Sequence, residues 1–416
     1  MPRIRLIFLL SGFCLLSPLD IPAAVNPAVI PQEDPTQEYL DFFAEVYTTM
    51  QDNYYEPLSR ESYDQFVQNF KVNIYDKLKA EGKSNDYVRW RSAAYLVENL
   101  KTSEDIFSQF FPPKPAEKFV QEALGQRVDV GIEGEKTKKG FLLNHVEPRS
   151  DSYVQGVREN DLLLAIDDQK ILKLDEKKIN DLLMPLINTS LKLTLVDHQS
   201  QKKKTVRVLS KEYFKQSVFL EPVSVPGIYC LQLRLFNRET GDDLYRFLKY
   251  VGQFHPRGLI LDLRGNPGGP PLAAREISGY FLPPGEEFAY FQKKGQPKSS
   301  LDVPVVPEQY RYTGPLVILM DKGSGSSSEL FSGVLQRRKR AALMGTNSAG
   351  QVMLKSMFNF KDGSMVLLIT SRGHFPDGST FSFQGLTPDY YVPKDYEKNI
   401  LKAAAIELLK MGAGPS

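Results

Sequence analysis

Pro315-Leu316-Val317-Ile318-Leu319-Met320-Asp321-Lys322-Gly323-Ser324-Gly325-Ser326-Ser327-Ser328-Glu329-Leu330-Phe331 reads as a strand that ends in a Gly/Ser turn and re-enters as a helix. The unbroken apolar run from Leu316 to Met320 fits a strand covered on both faces. The helix is expected to start near Ser328, with the Glu329 carboxylate beside the positive end of its dipole. A serine in that turn is exposed, and the helix N-terminus favours its alkoxide. By composition alone the same cluster is also an ordinary loop and helix cap.

Upstream, Gly258-Leu259-Ile260-Leu261-Asp262-Leu263-Arg264-Gly265-Asn266-Pro267-Gly268-Gly269 repeats the device of a buried strand with a glycine-rich exit. Glycines leave backbone N–H groups unobstructed, and a helix from about Pro270 points its positive end the same way, so a developing oxyanion could be held there. Asp262 and Arg264 are two apart on that strand, on one side, and read as a structural ion pair. Around these segments strands alternate with helices: Ile228 to Leu235, Gly241 to Phe254, Gly258 to Leu263, Pro270 to Tyr280, Leu316 to Met320, then Ser328 to Arg337. The alternation predicts a mixed α/β fold with a layered core over 213–416.

Two further regions precede the core. Residues 25–126 are polar and aromatic, with apolar residues three and four apart in Tyr39-Leu40-Asp41-Phe42-Phe43-Ala44-Glu45-Val46-Tyr47, and predict a mainly helical arm or cap. Pro112, Pro113 and Pro115 should interrupt it. Its apolar faces need a partner, which makes the arm a candidate surface for a homo-oligomer. Residues 127–212 contain short β-rich runs, among them Phe141-Leu142-Leu143, Leu162-Leu163-Leu164-Ala165-Ile166 and Leu191-Lys192-Leu193-Thr194-Leu195-Val196.

The chain has 416 residues, 52 Lys and Arg against 50 Asp and Glu, and a formal net charge of +2, far from the basic footprint of a nucleic-acid binder. Arg3 and Arg5, the apolar run Leu6 to Leu16 and the small residues Ala23 and Ala24 predict a secretory signal peptide over 1–24. That run is too short for a bilayer core, which needs roughly 20 residues. Cleavage after Ala24 removes Cys14 and leaves Cys230 alone, so no internal disulfide is expected. Cys230 lies in an apolar strand pattern and reads as a small buried hydrophobe. No metal-ligand cluster or phosphate loop is apparent, and no cofactor is called for.

The stretch 127–212 resembles a PDZ domain through Val130-Gly131-Ile132-Glu133 and Gly156-Val157-Arg158-Glu159-Asn160-Asp161-Leu162-Leu163-Leu164-Ala165-Ile166-Asp167. The resemblance implies capture of a peptide carboxylate by backbone amides near Gly131 and Ile132. The two core segments, continued through 345–350, Lys361-Asp362-Gly363-Ser364, Thr370-Ser371-Arg372 and Gly385-Leu386-Thr387-Pro388-Asp389, resemble the C-terminal processing, or tail-specific, serine peptidases. With the PDZ-like stretch the resemblance covers 127–393.

That family likeness implies Ser326 as nucleophile, an oxyanion hole from the N–H of Ser327 and of a glycine in Gly268-Gly269, and protein or peptide substrates with unstructured or C-terminal segments. It also implies export across the inner membrane, to a bacterial periplasm. The family's general base is a lysine followed four residues later by a glutamine. Here Gln351 stands at the lysine position and Lys355 at the glutamine position, so the two side chains are exchanged.

Three outcomes are open. Lys355 serves as base with Gln351 as its partner, another group such as His374 replaces it, or the chain is a catalytically silent peptide-binding or scaffolding protein. The first needs residues 351 and 355 close together, as in a helix at about 6 Å and not as in a strand at about 13 Å.

Overall fold

In the computed structural model the described residues are 36–293, 295–350, 353–381 and 384–412. The signal peptide expected at 1–24, including Cys14, lies outside them, as does Gln351.

The core is built on a six-stranded sheet in the order Val218–Glu221, Ile228–Leu233, Gly258–Asp262, Leu316–Met320, Ala342–Gly345, Tyr390–Tyr391. Its first pair is antiparallel and the others are parallel. Successive side chains of a strand leave opposite faces, and here both faces are covered. Leu259, Leu261 and Ile318 pack with helices Thr240–Gly252, Pro271–Ser278 and Ser327–Arg337 on one side. Cys230, Ile260, Val317 and Leu319 pack against helix Ile400–Gly412 on the other. That explains the unbroken apolar runs: each buried Leu or Ile contributes about 1.5–3 kcal/mol. Cys230 is fully buried, and burial pushes its thiol well above the usual range.

A second sheet, five-stranded and antiparallel, joins Gln109–Phe111, Met365–His374, Glu287–Gln292 and Ser299–Asp302, with Met353–Asn359 paired to Met365–His374. Helices Gln37–Asn53, Arg60–Phe70 and Asn85–Leu100 cover one face of it. Phe43, Phe66, Phe70, Val88 and Leu96 share one apolar cluster with Phe110, Phe360, Val366, Leu368 and Ile369 of the sheet side. The helical region is therefore a layer packed on this sheet, a cap in the sense of the two forms expected, and the sheet covers the apolar faces of its helices. The prolines act differently from expectation: Pro113 opens helix Pro113–Leu124, because its missing N–H is one the first turn leaves unbonded anyway.

Residues 132–209 form a further six-stranded sheet in the order Ile132–Lys136, Phe141–Val146, Leu162–Ile166, Ser190–Val196, Lys203–Leu209, with Gln169–Lys170 beside Leu162–Ile166. Val130, Phe141, Leu163, Ile179 and Leu193 belong to its own apolar cluster. A ribbon of Gln126–Asp129 and Lys211–Phe214 connects it to the rest.

Candidate active site

The strand Leu316–Met320 delivers the chain to the turn 321–326, and Ser327–Arg337 leaves it as a helix. Hydroxyls tie this turn to the exit of the neighbouring strand: Ser324 Oγ donates to Leu263 O at 2.8 Å, Ser327 Oγ to Gly269 O at 2.6 Å and Ser328 Oγ to Asn266 O at 2.9 Å. Among the described residues, the Ser326 hydroxyl donates to none. Ser326 alone of these serines is half-buried, the other three being buried.

Its backbone has φ 52° and ψ −115°, a left-handed conformation that costs a non-glycine residue of order 1–3 kcal/mol. The surroundings impose it. The Ser326 N–H donates to Glu329 Oε2 at 2.9 Å, and the buried Glu329 also accepts from Ser348 Oγ at 2.5 Å and Gly350 N at 2.6 Å.

Gly268 and Gly269 have φ of 104° and 142°. A Cβ on Gly268 would lie 2.7 Å from Ser326 Cβ and 2.9 Å from Ser327 N, and one on Gly269 would lie 1.9 Å from Phe236 O. The structure thus brings the expected glycines against the expected serine. It also separates them: the Gly268 N–H donates to Asn266 Oδ1 at 2.9 Å. Among the described residues the N–H groups of Gly269 and Ser327 have no acceptor, so these two are the donors left for an oxyanion.

Lys355 lies in the extended strand Met353–Asn359 and not in a helical turn, while Gln351 lies outside the described residues. Register slips between Leu354 and Lys355, the kind of bulge that re-aims a side chain. Its Nζ is 4.0 Å from the centroid of the Phe107 ring. Burial holds the amine below the ordinary lysine value, and the carboxylates of Asp105 and Glu329 oppose that shift. Glu329 is therefore the shared neighbour: it bonds the Ser326 backbone and acts on the Lys355 charge.

Asp262 and Arg264 do form an ion pair, Nη2 to Oδ2 at 2.6 Å, with Asp262 buried. The ring of His374 stacks on Tyr290 with centroids 4.6 Å apart and its Nδ1 faces Gly378 O at 3.5 Å. At the expected peptide-binding position the Gly131 N–H donates to Asp129 Oδ1 at 2.6 Å, while Ile132 begins the edge strand of the small sheet, opposite Val146. Asp105 and Phe107 stand in no motif and have no signal in the sequence, whereas Asn266 and Ser348 lie inside the motif segments 258–269 and 345–350, where nothing in the pattern singles out their side chains. Glu329 was visible only as good helix-start chemistry.

A serine held at a strained strand-to-helix turn, beside the uncommitted N–H of Gly269, has the arrangement that nucleophilic catalysis requires. Residues 227–392 match the family described as peptidase family S41. The chain is 22% identical over 311 residues to a "Probable CtpA-like serine protease" of Staphylococcus haemolyticus, covering 74% of this chain and 62% of the relative. A Staphylococcus aureus protein of the same name is 22% identical over 341 residues, 81% of this chain and 68% of the relative. The chain thus spans just under two thirds of the first of these relatives. The photosystem II D1 C-terminal processing protease shares the fold with TM-score 0.50 and 18% identity, over 90% of this chain and 99% of that one. The tricorn protease does so with TM-score 0.53 and 15% identity, over 90% and 37%.

Proposed function

We propose that the chain is a serine endopeptidase of the C-terminal processing type that acts outside the cytoplasm, in a periplasm, on unstructured or C-terminal segments of proteins. The observation that carries this reading is the Ser326 hydroxyl, which is donated to no described residue and is presented at φ 52° beside the N–H groups of Ser327 and Gly269. In the proposed reaction, neutral Lys355 takes the Ser326 Oγ proton as Oγ bonds to the peptide carbonyl carbon. The carbonyl electron pair moves to oxygen, facing the two N–H groups. Collapse expels the amine, which takes the proton from Lys355. Water then attacks the acyl-enzyme, gives its proton to Lys355, and Ser326 departs with it as the free hydroxyl. The leader expected from the sequence at 1–24 supports export.

The test is labelling of the purified protein by a fluorophosphonate, beside digestion of unfolded casein. Ser326→Ala is expected to abolish both, and Lys355→Ala to reduce both at least about 100-fold with the melting temperature kept. Wild-type protein that neither labels nor cleaves would leave a peptide holder in place of an enzyme. Full activity in Lys355→Ala would end the Ser/Lys dyad.

A further inference from the structure

The dyad proposed above leaves one question open: what holds a lysine amine at the edge of a strand. The answer lies in the loop that follows helix Asn85–Leu100, far upstream in the chain. Asp105 is 2% exposed and bonded on every side: Oδ1 accepts from Phe107 N at 2.9 Å and Ser108 N at 2.8 Å, and Oδ2 accepts from Tyr54 Oη at 2.8 Å. Those bonds fix the loop's shape, and Phe107 then stands with its ring 4.0 Å from Lys355 Nζ.

The loop is also anchored at the residue opposite Lys355. In the sheet register Lys355 faces Ile369. The Ile369 N–H donates to Ser108 Oγ at 2.9 Å, and its carbonyl accepts from Tyr55 N at 3.0 Å. The helical layer is therefore fastened to the backbone beside the bulge that aims Lys355. Among the described residues, the charged groups acting on the amine are Asp105 from this loop and Glu329 from helix Ser327–Arg337.

We propose that Asp105 and Phe107 are positioning residues for the Lys355 amine, so that the N-terminal helical layer completes the active site. This rests on Lys355 being the base. An ammonium over an aromatic face is attracted to it, and a carboxylate nearby favours the same charged form. The ring and the carboxylate thereby hold the side chain in one place through its charged state, while Glu329 draws it from the Ser326 side. Catalysis needs the neutral amine, so both groups also set the pH at which the base becomes available.

The sign of the effect follows. Replacing Asp105 by Asn removes the charge with little change of shape, which favours the neutral amine. Replacing Phe107 by Leu keeps an apolar neighbour but removes the ring face, with the same consequence. In the rate of Ser326 labelling by a fluorophosphonate against pH, the acid limb of Asp105→Asn is expected to move down by about one unit, and that of Phe107→Leu in the same direction by less. A purely structural role would lower the plateau or the melting temperature and leave the limb in place.

Lys355→Ala is measured in parallel. If it labels like wild type, the base assignment itself falls. If Lys355→Ala is inert and the limb is unmoved in both other variants, the dyad stands and the role given to the helical layer is wrong. Should Asp105→Asn fail to fold, Phe107→Leu decides alone, because its side chain makes no hydrogen bond that the loop depends on.

Discussion

Gly269 is the residue at which the fold tolerates least. Its φ of 142° lies where only glycine is at ease, and a Cβ there would meet Phe236 O at 1.9 Å. Gly269→Ala must push its own peptide away from Ser327, and with it one of the two uncommitted N–H donors. Loss of one such donor costs on the order of 10²–10³ in kcat. We therefore expect Gly269→Ala to lose at least about 100-fold in casein cleavage while the acid limb of its pH profile stays where wild type has it. A shifted limb would mean that the substitution reached the base and not the oxyanion. Gly268 differs, since its N–H is spent on Asn266 and its lack of a side chain is what lets the Ser326 turn approach. Lys355 supplies the complementary prediction. Burial lowers its proton affinity, and the proposed dyad needs it neutral, so the acid limb in wild type should lie below the value near 10.4 of an ordinary lysine. A limb at or above that value would exclude this amine as the base.

At the level of elements, the sequence was most legible where a strand is buried on both faces. Leu316–Met320 and Gly258–Asp262 are continuous apolar runs, and the glycine and serine turns that follow them lie in the same two short stretches as Ser326, Gly268 and Gly269. The five-stranded antiparallel sheet was not legible. Met353–Asn359 is half-buried along most of its length and mixes Lys355, Ser356 and Asn359 with apolar residues, so it has no clean period. Gln109–Phe111 has three residues and exists only because Met365–His374 pairs with it. Asp105 and Phe107 were hidden for the same reason: their meaning comes from a strand far downstream. The helical layer reads from sequence only as an arm or cap because its apolar stripe has no visible partner in its own sequence, and the sheet supplies one. That packing can be tested at Phe43, which is fully buried with its ring 5.3 Å from Phe66 and 4.8 Å from Phe70. Phe43→Ala should cost about 3–5 kcal/mol in denaturant unfolding. Because the layer holds the loop over Lys355, labelling of Ser326 should fade at a lower temperature than in wild type, and at the same temperature as the protein melts. Loss of less than about 1 kcal/mol would show the helices to be loosely held.

Across the whole molecule, Arg149 ties the 132–209 region to the core: its guanidinium pairs with Asp243 of helix Thr240–Gly252 and donates to the carbonyls of Phe214 at 3.2 Å and Lys215 at 3.3 Å. Asp243 is 3% exposed and also accepts from Ser217 N at 2.9 Å and Ser217 Oγ at 3.1 Å. Removing the cation leaves a buried carboxylate with neutral donors only, and breaking a buried pair from one side costs about 3–5 kcal/mol. Part of that can be recovered by admitting water between the sheet and the core, which is a local opening and not global unfolding. Arg149→Ala is therefore expected to expose the ribbon of Gln126–Asp129 and Lys211–Phe214 to limited proteolysis by an added protease while the core keeps its melting transition. Arg149→Lys should fall between the two, since a lysine restores the charge without the fork that reaches both carbonyls. If Arg149→Ala resists nicking as wild type does, the ribbon and the small sheet are held by packing, and the ion pair is incidental to how the two parts stay together.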